Sequence, residues 1–374
     1  MKTTSVLIKP ASDLCNMRCD YCFYCDETSK RSTPSYGFMS EETLRNVIRR
    51  TLLPAQGPVA YAFQGGEPTL RGLEFFEKAL EYQIKYNRNN VPVHNALQTN
   101  GYAITEEWAT FLQKNNFLTG LSVDGTPATH DLHRHDKNGG PTFDQIEKAA
   151  HILDRCGAQY NILTVVTRQV AEHIEEIYQF YQTKGWHYQQ YIACMDPLNE
   201  LRGQQSHALL PLQYGQFLTK LFDIWYADYL KGKQPYIRQF ENYAGILMGY
   251  HPESCEQRGV CGLQYVVEAD GSVYPCDFYA LDQYLLGNFN ADRLEQLDAR
   301  REEIGFIAPS LRLSNTCRSC PYLGICRGGC QRNRELAADG NYINYFCQGF
   351  QVFFENCLGR LQEIAKNAGN TPKL

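Results

Sequence analysis

The sequence predicts an α/β fold in which a partial (β/α)6 TIM-like barrel precedes a cysteine-rich C-terminal module. Two observations lead to this prediction. Runs rich in apolar and β-branched residues alternate six times with helical patterns up to residue 193, as in parallel strands joined by helical crossovers. Polar motifs follow four of these runs directly, and in a barrel the loops after the strands share one face. Six units are too few for a closed barrel of eight, and an open doubly wound sheet is the alternative.

The six predicted strands define the order of the units along the chain. The polar motifs after the first four are CNMRC, GGEP, TNG and DG. The predicted strands span residues 3–9, 58–64, 92–98, 118–123, 160–166 and 187–193.

The helices between the strands carry start and stop signals. Thr142 and Gln145 have the spacing of a capping box. Gly157 and Gly185 stand where a helix end favours a left-handed residue, and Pro211 can open the helix after the sixth strand. Beyond about residue 235 the periodicity fades and cysteines become frequent, so the predicted domains are residues 1–235 and 236–374.

Composition and charge exclude several classes of partner. The formal net charge of -5 gives no basic field for nucleic acid or an anionic membrane. No stretch approaches the ~20 apolar residues of a membrane span, and the first residues lack the features of a signal peptide. We therefore expect a cytoplasmic protein without nucleic-acid or membrane partners, in which thiols stay reduced and serve as metal ligands or reactive groups.

The loop after the first predicted strand holds four cysteines, three of them in the pattern CxxxCxYC: Cys15, Cys19 and Cys22. Three thiolates so close cannot complete a tetrahedral zinc site alone. A [4Fe–4S] cube held by three cysteines leaves one iron open to another ligand. We favour this interpretation. If Cys25 bound the fourth iron, the cluster would instead be a closed electron carrier.

The C-terminal module supplies eight more candidate ligands, enough for two four-thiolate sites. Zinc ribbons are the rival explanation, because Cys317 and Cys320 form a CxxC pair, but no second tight pair accompanies it. We expect iron–sulfur clusters here. The remaining cysteines are expected to pack as small apolar residues: Cys25, Cys156, Cys194 and Cys357. The eight candidate ligands are Cys255, Cys261, Cys276, Cys317, Cys320, Cys326, Cys330 and Cys347.

The CxxxCxYC motif after a first strand resembles the signature of the radical S-adenosylmethionine (SAM) superfamily. The C-terminal pattern resembles the SPASM iron–sulfur domain, whose opening is matched by Cys261, Gly271 and Cys276; the spacing before Cys347 is one residue shorter than the family pattern. Within the superfamily, the chain is most similar to the anaerobic sulfatase-maturating enzymes. The motifs that support this in combination are QGGEPTL (64–70), LQTNG (97–101), LSVDG (121–125), HDLHR (130–134) and YPCDFY (274–279).

The resemblance implies three [4Fe–4S] clusters and SAM as cofactors. Cys15, Cys19 and Cys22 would hold the cluster that binds SAM. The implied ligands of the two further clusters are Cys255, Cys261, Cys276 and Cys330 for one, and Cys317, Cys320, Cys326 and Cys347 for the other.

Seven residues are implied to contact SAM. Gly66 would leave the backbone free to approach the methionine amine, and Glu67 would accept its protons. Arg134 would clamp the methionine carboxylate with its planar guanidinium. The other four are Asn100 and Ser122, for the ribose or carboxylate, and Tyr21 and Met195, beside the adenine. All of these residues except Tyr21 have an ordinary alternative role in a turn, at the surface or in the core.

The resemblance also implies the reaction. A radical derived from SAM would take a hydrogen atom from Cβ of a cysteine or serine in a sulfatase, and loss of a proton and an electron would lead to formylglycine. Asp277, directly after Cys276, is the expected base, and Tyr24 and Gln64 are expected substrate contacts. The expected partners are a sulfatase polypeptide and an electron donor such as flavodoxin or ferredoxin.

Three alternatives remain at this point. A peptide cross-linking enzyme of the same superfamily would share most of the motifs. A ferredoxin-like electron carrier would use Cys25 as a fourth ligand. A zinc-stabilised binding module would hold neither iron nor sulfide.

Overall fold

The computed structural model describes residues 3–370. The strands within this range are β1 Thr4–Ile8, β2 Met17–Cys19, β3 Val59–Phe63, β4 Val93–Thr99, β5 Leu118–Ser122, β6 Arg134–Asp136, β7 Tyr160–Val166, β8 Tyr188–Ala193, β9 Tyr236–Ile237, β10 Tyr265–Val267, β11 Ser272–Tyr274, β12 Gly287–Asn288, β13 Arg334–Leu336 and β14 Tyr342–Asn344. All six predicted strands are confirmed, as β1, β3, β4, β5, β7 and β8.

The α-helices follow the expected crossovers in the first half of the chain and become short in the cysteine-rich part. They are α1 Phe23–Ser29, α2 Glu41–Leu52, α3 Leu73–Tyr86, α4 Glu106–Lys114, α5 Pro127–His130, α6 Phe143–Cys156, α7 Arg168–Glu172, α8 Ile174–Thr183, α9 Pro211–Tyr229, α10 Arg238–Leu247, α11 Cys255–Arg258, α12 Leu294–Glu303, α13 Asn315–Arg318, α14 Leu323–Cys326 and α15 Cys347–Asn370. Within residues 3–370, no helix is both long and apolar enough to cross a membrane.

The chain divides into two compact units, each made of several segments. The first unit comprises Met1–Val123, His130–Asn161 and Leu263–Phe306. The second comprises Asp124–Thr129, Ile162–Gly262 and Ile307–Leu374.

The first unit contains a largely parallel sheet in the order β12-β11-β10-β1-β3-β4-β5. Strands β1, β3, β4 and β5 follow one another across the sheet in chain order and pair in parallel. This is the order of successive βα units, and it lacks the reversal of a doubly wound sheet. Strand β10 lies parallel to β1 on its other side and continues through a hairpin into β11. Sequence analysis predicted no strand in this region.

The core of the first unit follows the two-residue period of its strands. In β3, Val59, Tyr61 and Phe63 are fully buried and alternate with less buried residues. Phe63 packs against the buried ring of Phe76 on α3, with ring centroids 4.9 Å apart. Burial of one such aromatic side chain contributes roughly 2–3 kcal/mol. The core therefore fixes the strand ends that carry the polar loops.

The second unit places β7, β8 and β9 side by side in parallel. The long helices α9 and α15 pack closely: Gly215 and Gly349 face each other, and a Cβ on Gly215 would lie 2.6 Å from the carbonyl oxygen of Gly349. The ring of Phe222 on α9 meets Phe353 of α15 edge to face at 6.0 Å. The cysteine-rich segments of this unit are short helices and the hairpin β13–β14.

The helix signals are confirmed except for the capping box. Pro211 opens α9, and Gly157 and Gly185 have left-handed φ angles of 68° and 71°. Thr142 makes no side-chain cap on α6, because its hydroxyl donates to the Arg134 carbonyl oxygen at 2.9 Å. The prediction for Thr142 is therefore wrong. Asp131 caps the helix instead, since its Oδ1 accepts from the backbone N–H groups of Thr142 and Phe143 at 2.7 and 2.9 Å.

Candidate active site

The loop that carries the first cysteines is joined to the GGEP loop by backbone hydrogen bonds. The N–H of Gly66 donates to the carbonyl oxygen of Ser12, and the N–H of Glu67 donates to that of Leu14, each at 2.8 Å. A Cβ on Gly66 would lie 2.6 Å from the carbonyl carbon of Leu14. Only glycine permits this approach, so Gly66 holds the cysteine loop against the end of β3.

Glu67 is buried and links two loops. Its carboxylate accepts hydrogen bonds from the Thr69 N–H at 3.1 Å and the Thr69 hydroxyl at 2.6 Å. It also accepts from the Thr99 hydroxyl and the Asn100 N–H, both at 2.8 Å. Burial raises the pKa of Glu67, and these donors oppose the rise. Its predicted contact with the SAM amine stays a prediction.

Asn100 lies beside the first cysteine. Its amide nitrogen is 3.6 Å from the Cys15 sulfur and donates to Asn16 Oδ1 at 2.7 Å. The Cys15 sulfur also accepts from the N–H of Met17 at 3.4 Å. Burial raises the pKa of the Cys15 thiol to about 11, and the Met17 bond opposes this rise. Two N–H donors therefore surround one predicted ligand.

Arg134 lies at the same loop, because β6 pairs with β2 and places Arg134 opposite Cys19. Its Nη1 donates to the Tyr21 hydroxyl at 2.9 Å. The positive charge of Arg134 contributes to lowering the pKa of both Cys15 and Cys22, although larger effects act on each thiol. The guanidinium therefore lies beside Tyr21 and close to the predicted ligands.

Cys25 lies close to Cys22. The Cys25 thiol donates a hydrogen bond to the Cys22 sulfur. This bond lowers the pKa of Cys22 and raises that of Cys25. The charges of Cys15 and Cys19 also raise the pKa of Cys25. Cys25 itself is exposed near the start of α1, so the expectation that it packs as a small apolar residue is wrong. Its exclusion from the ligand set stays a prediction.

Ser122 and Met195 lie where their strands end. The Ser122 hydroxyl, at the end of β5, accepts from Gln98 Nε2 at 3.1 Å. Met195 follows β8 in the second unit and is half-buried.

Asp277, Tyr24 and Gln64 form one hydrogen-bonded group. The Tyr24 hydroxyl donates to Asp277 Oδ2 at 2.7 Å. Gln64 Nε2 lies 2.8 Å from the Tyr24 oxygen and 3.1 Å from Asp277 Oδ2. Sequence analysis assigned these three residues to one reaction from different parts of the chain, and the structure brings them together.

The environment of Asp277 leaves one oxygen available. The residue is buried, and its Oδ1 has no hydrogen-bond partner among the described residues. Burial raises the pKa of Asp277 to about 6, while the charge of Lys9 and the Tyr24 hydrogen bond oppose the rise. A carboxylate with one oxygen fixed and the other without a partner has the arrangement of a general base.

A buried ion cluster next to this group was missed by sequence analysis. Lys9 Nζ and Arg31 Nη1 both form ion pairs with Glu268 Oε1, at 2.5 and 2.6 Å. The Lys9 ammonium also lies 4.7 Å from the centre of the Tyr24 ring. Lys9 and Glu268 meet because each directly follows one of the paired parallel strands β1 and β10. The sequence signal that could have indicated this ion pair is a charged residue directly after each apolar run, Lys9 in VLIK and Glu268 in VVE.

Glu27 is a second buried carboxyl group that sequence analysis did not single out. It lies one helical turn after Tyr24 on α1, and its Oε1 accepts from the N–H of Ala280 at 3.2 Å. Oε2 has no partner among the described residues. Burial raises the pKa of Glu27 to about 8, with Lys9 opposing and Asp277 adding to the rise. The carboxyl groups of Glu27 and Asp277, which differ in pKa, therefore both lie at the 3-10 turn Asp277–Tyr279.

The C-terminal cysteines of the second unit fall into two groups. One group lines a pocket together with Tyr322, Phe350 and Phe354. The other is defined by the effect of neighbouring thiols on Cys330, whose pKa is raised mainly by burial. The first group is Cys317, Cys320, Cys326 and Cys347, and the second is Cys255, Cys261 and Cys330. Cys276 lies in the first unit, just before the 3-10 turn Asp277–Tyr279.

Arg334 lies close to both groups. Its guanidinium donates to the carbonyl oxygens of Ser310, Gly259 and Gly329 at 2.6, 2.7 and 2.9 Å. The charges of Cys261 and Cys330 from one group, and of Cys317 and Cys326 from the other, act on it. A buried cation with backbone partners therefore lies beside two thiol sets.

The donor sets fit iron–sulfur clusters. The first cysteine loop and the two C-terminal cysteine groups supply thiols, and thiolates are the usual ligands of such clusters. Within residues 3–370, no three His, Cys, Asp or Glu side chains are placed to hold a single metal ion. At the first set, Asn100 and Met17 also supply N–H donors to a sulfur, as expected around cluster ligands.

Comparison with known families agrees with this geometry. Residues 10–181 match the model of the radical SAM superfamily, and residues 259–321 match that of the SPASM iron–sulfur cluster-binding domain. Fold and site therefore define a radical SAM protein with an iron–sulfur SPASM domain. The cysteine-type anaerobic sulfatase-maturating enzyme of Clostridium perfringens is 43% identical, with 98% of this chain and 100% of that protein covered. The chain belongs to the anaerobic sulfatase-maturating enzyme family.

Two further comparisons support this membership. The serine-type enzyme of Bacteroides thetaiotaomicron is 31% identical, with 99% of this chain and 93% of that protein covered. The solved structure of native anSMEcpe with bound AdoMet and Kp18Cys peptide has a TM-score of 0.92 at 43% identity, with 98% of this chain and 100% of that chain covered.

Proposed function

We propose that this chain oxidises a cysteine or serine side chain of a sulfatase polypeptide to formylglycine (3-oxoalanine). The observation that carries the proposal is the buried Asp277 carboxylate, with Oδ2 held by Tyr24 and Gln64 and Oδ1 without a partner among the described residues. Identity of 43% to a cysteine-type relative, against 31% to a serine-type one, supports cysteine as the preferred substrate.

Three [4Fe–4S] clusters and SAM are the cofactors of the proposed reaction. When bound, they supply a one-electron oxidant that removes a hydrogen atom from carbon and an acceptor for the second electron. Cys15, Cys19 and Cys22 would hold the cluster that binds SAM. Cys255, Cys261, Cys276 and Cys330 would hold the second, and Cys317, Cys320, Cys326 and Cys347 the third.

Asp277 acts as the base in this proposal. Its Oδ1 accepts the proton that the substrate must lose, while Tyr24 and Gln64 hold Oδ2 and so fix the direction of the carboxylate. The charge of Lys9 favours the ionised carboxylate that a base requires. Tyr24 and Gln64 also border the substrate side chain.

The residues around the first cysteine loop position SAM. Arg134 binds its carboxylate by charge-assisted hydrogen bonds, and its buried position beside Cys19 supports this role. Gly66 and Glu67 form the wall near the amine, and Asn100 and Ser122 supply polar groups to the carboxylate or ribose. Tyr21 and Met195 flank the adenine.

In this proposal the two predicted domains have different roles. Residues 1–235 bind SAM and the peptide, and residues 236–374 hold the two further clusters. An electron donor such as flavodoxin or ferredoxin supplies the first electron.

The test is anaerobic turnover of the reconstituted protein with SAM, a reductant and a peptide carrying a sulfatase Cys motif. Formylglycine formation replaces the elements of hydrogen sulfide in the peptide with one oxygen atom, which mass spectrometry detects. A loss of two hydrogen atoms would instead indicate cross-linking. Absence of any modified peptide, together with no 5′-deoxyadenosine, would overturn the proposal.

A further inference from the structure

The segment 304–334 is strongly basic in an acidic chain. It contains five arginines and no Asp, Glu, Lys or His, whereas the whole chain has a formal net charge of -5. Arg332 and Arg334 are buried and donate to backbone carbonyl oxygens. The other three, Arg312, Arg318 and Arg327, reach the surface, and we call them the arginine patch.

The three arginines of the patch gather around Leu313. Arg312 precedes it in the chain, and Arg318 Nε donates to its carbonyl oxygen at 3.1 Å. Gly328, next to Arg327, packs against its side chain, since a Cβ there would lie 2.5 Å from Leu313 Cδ2. Residues separated in sequence thus form one local surface.

Each guanidinium of the patch is tethered but keeps free bonding capacity. Arg312 Nη2 donates to the Gly340 carbonyl oxygen at 2.6 Å, and Arg327 Nε donates to that of Gly324 at 3.2 Å. A guanidinium has five N–H donors, so most remain after one such bond. None of the three arginines has an ion-pair partner among residues 3–370. The tethers reduce the entropy lost when carboxylates bind.

The acidic residues near the patch are already engaged. Asp339 accepts from the backbone N–H groups of Asn315 and Asn341 at 2.6 and 3.0 Å. Glu335 pairs with Arg202 at 3.1 Å. Neither carboxylate pairs with a guanidinium group of the patch among the described residues, so the three arginines keep N–H donors for a partner.

The patch adjoins the first C-terminal cysteine group. Arg318 stands between Cys317 and Cys320, and Arg327 directly follows Cys326. These three cysteines line the same pocket, and Arg318 is exposed at the end of α13. A protein bound to the arginines would come close to whatever the cysteines hold.

We propose that the arginine patch is the docking surface for an acidic one-electron carrier protein, which collects the electron released during substrate oxidation. This inference rests on the proposed function. One electron passes from the group held by the cysteines to the oxidised carrier, so the former is oxidised and the latter reduced, with no bond made or broken. Surface carboxylates of the carrier pair with the guanidinium groups, and the opposite charges steer the encounter.

Binding is tested with the reconstituted full chain and oxidised flavodoxin, an acidic flavoprotein, as the probe. We expect the double variant Arg312→Glu/Arg318→Glu to bind at least 10-fold more weakly than wild type at about 50 mM NaCl, and the difference to shrink at about 300 mM. The matched control is Arg88→Glu/Lys114→Glu, which makes the same charge change at two exposed residues elsewhere. Equal weakening in both double variants would overturn the inference, because net charge alone would explain it.

Turnover separates this inference from the proposed function. With dithionite as the reductant, both double variants should make formylglycine at the wild-type rate and with the wild-type KM for peptide. When excess dithionite is removed after reduction and oxidised flavodoxin is added as the acceptor, only the patch variant should reduce flavodoxin more slowly during turnover. A raised KM for peptide under dithionite would assign the patch to the substrate and overturn the inference. No formylglycine from wild type would refute the proposed function while leaving the binding result intact. If the charge reversals prevent folding, Arg312→Gln/Arg318→Gln must show the same pattern at smaller amplitude.

Discussion

The Tyr24 hydroxyl donates a hydrogen bond of 2.7 Å to the Asp277 carboxylate across 253 residues of sequence. Tyr24 lies on the helix that follows the first cysteines, and Asp277 opens the turn after Cys276. One bond therefore joins the loop of the first predicted cluster to a ligand loop of another. Under the proposed function, this bond ties the position of the base Asp277 to both loops.

Asp277→Asn should separate SAM cleavage from product formation. The amide keeps the shape of the carboxylate but cannot take a proton at Oδ1, so we expect formylglycine formation to fall by about 10²–10⁴-fold. Formation of 5′-deoxyadenosine should continue. Liquid chromatography of both products measures the ratio. Asp282→Asn, on the following 3-10 turn, is the control, and a wild-type product yield from Asp277→Asn would remove the residue from the mechanism.

Tyr24→Phe should shift the acid side of the pH–rate profile. The pKa of Asp277 is about 6, and the Tyr24 bond helps to keep it from rising further. A base must be ionised, so product formation should decline as pH falls through about 6. Without the phenol the pKa rises, and the decline should begin at higher pH. Tyr82→Phe, on the outer helix α3, is the control. An unshifted profile for Tyr24→Phe would contradict the proposed contact.

Glu27→Gln should change how stability depends on pH. The folded-state pKa of Glu27 is about 8, above its ordinary value of 4.5, so the native state holds more protons than the unfolded state between these values. Stability contributed by Glu27 is therefore present at low pH and is lost as pH rises toward 8, by at most about 1.4 kcal/mol per pH unit.

The glutamine variant should remove that loss while still accepting from the Ala280 N–H. Urea unfolding midpoints of the holoprotein at pH 5 and pH 8 test this, with the exposed Glu175→Gln as the control. If wild type and Glu27→Gln lose stability equally over this range, Glu27 is not the buried proton-binding group described above.

Gly66→Ala should weaken the cysteine loop. The added methyl group would overlap the Leu14 carbonyl group, forcing the two loops apart and breaking the adjacent backbone bonds. We expect a loss of roughly 1–3 kcal/mol, in the range of overpacking, with reduced iron content after reconstitution. Gly359→Ala meets no atom within 4 Å on α15 and should be tolerated. Full iron and sulfide in Gly66→Ala would show that the loops can separate without consequence.

Cys25→Ser tests the ligand count at the first cluster. Because Cys25 is exposed and lies outside the expected set, its removal should leave iron and sulfide content almost unchanged, whereas Cys22→Ser should lose one cluster. Iron and sulfide analysis with electron paramagnetic resonance measures both. Loss of a cluster in Cys25→Ser would instead support a fourth protein ligand.

The repetitive part of the fold was predictable because burial imposes a period on the sequence. All six strands from β1 to β8 that carry βα units were predicted, since apolar alternation and turn residues mark them. Strand β10 was missed because it is only three residues long and lies among cysteines and turn residues. The cap of α6 was assigned to Thr142 in place of Asp131, because the competing Arg134 carbonyl is a tertiary contact.

In the candidate site, too, the features that depend on tertiary contacts were not predicted from the sequence. Tyr24, Gln64 and Asp277 carried motif signals that brought them to notice one by one. Lys9 and Glu268 carried almost no motif signal, because their ion pair depends on the pairing of β10 with β1. Charge pairing across 259 residues is a property of strand order, and local sequence patterns do not encode it.

That pairing has a consequence for biosynthesis. While the ribosome makes the first half of the chain, one edge of β1 has no neighbour and the ammonium of Lys9 has no Glu268 to meet. Strand β10 emerges only after some 260 residues have left the exit tunnel, and Asp277 follows ten residues after it. A nascent fragment that holds only the first thiols lacks the group proposed to complete the oxidation, so the proposed reaction requires at least about three-quarters of the chain to be made.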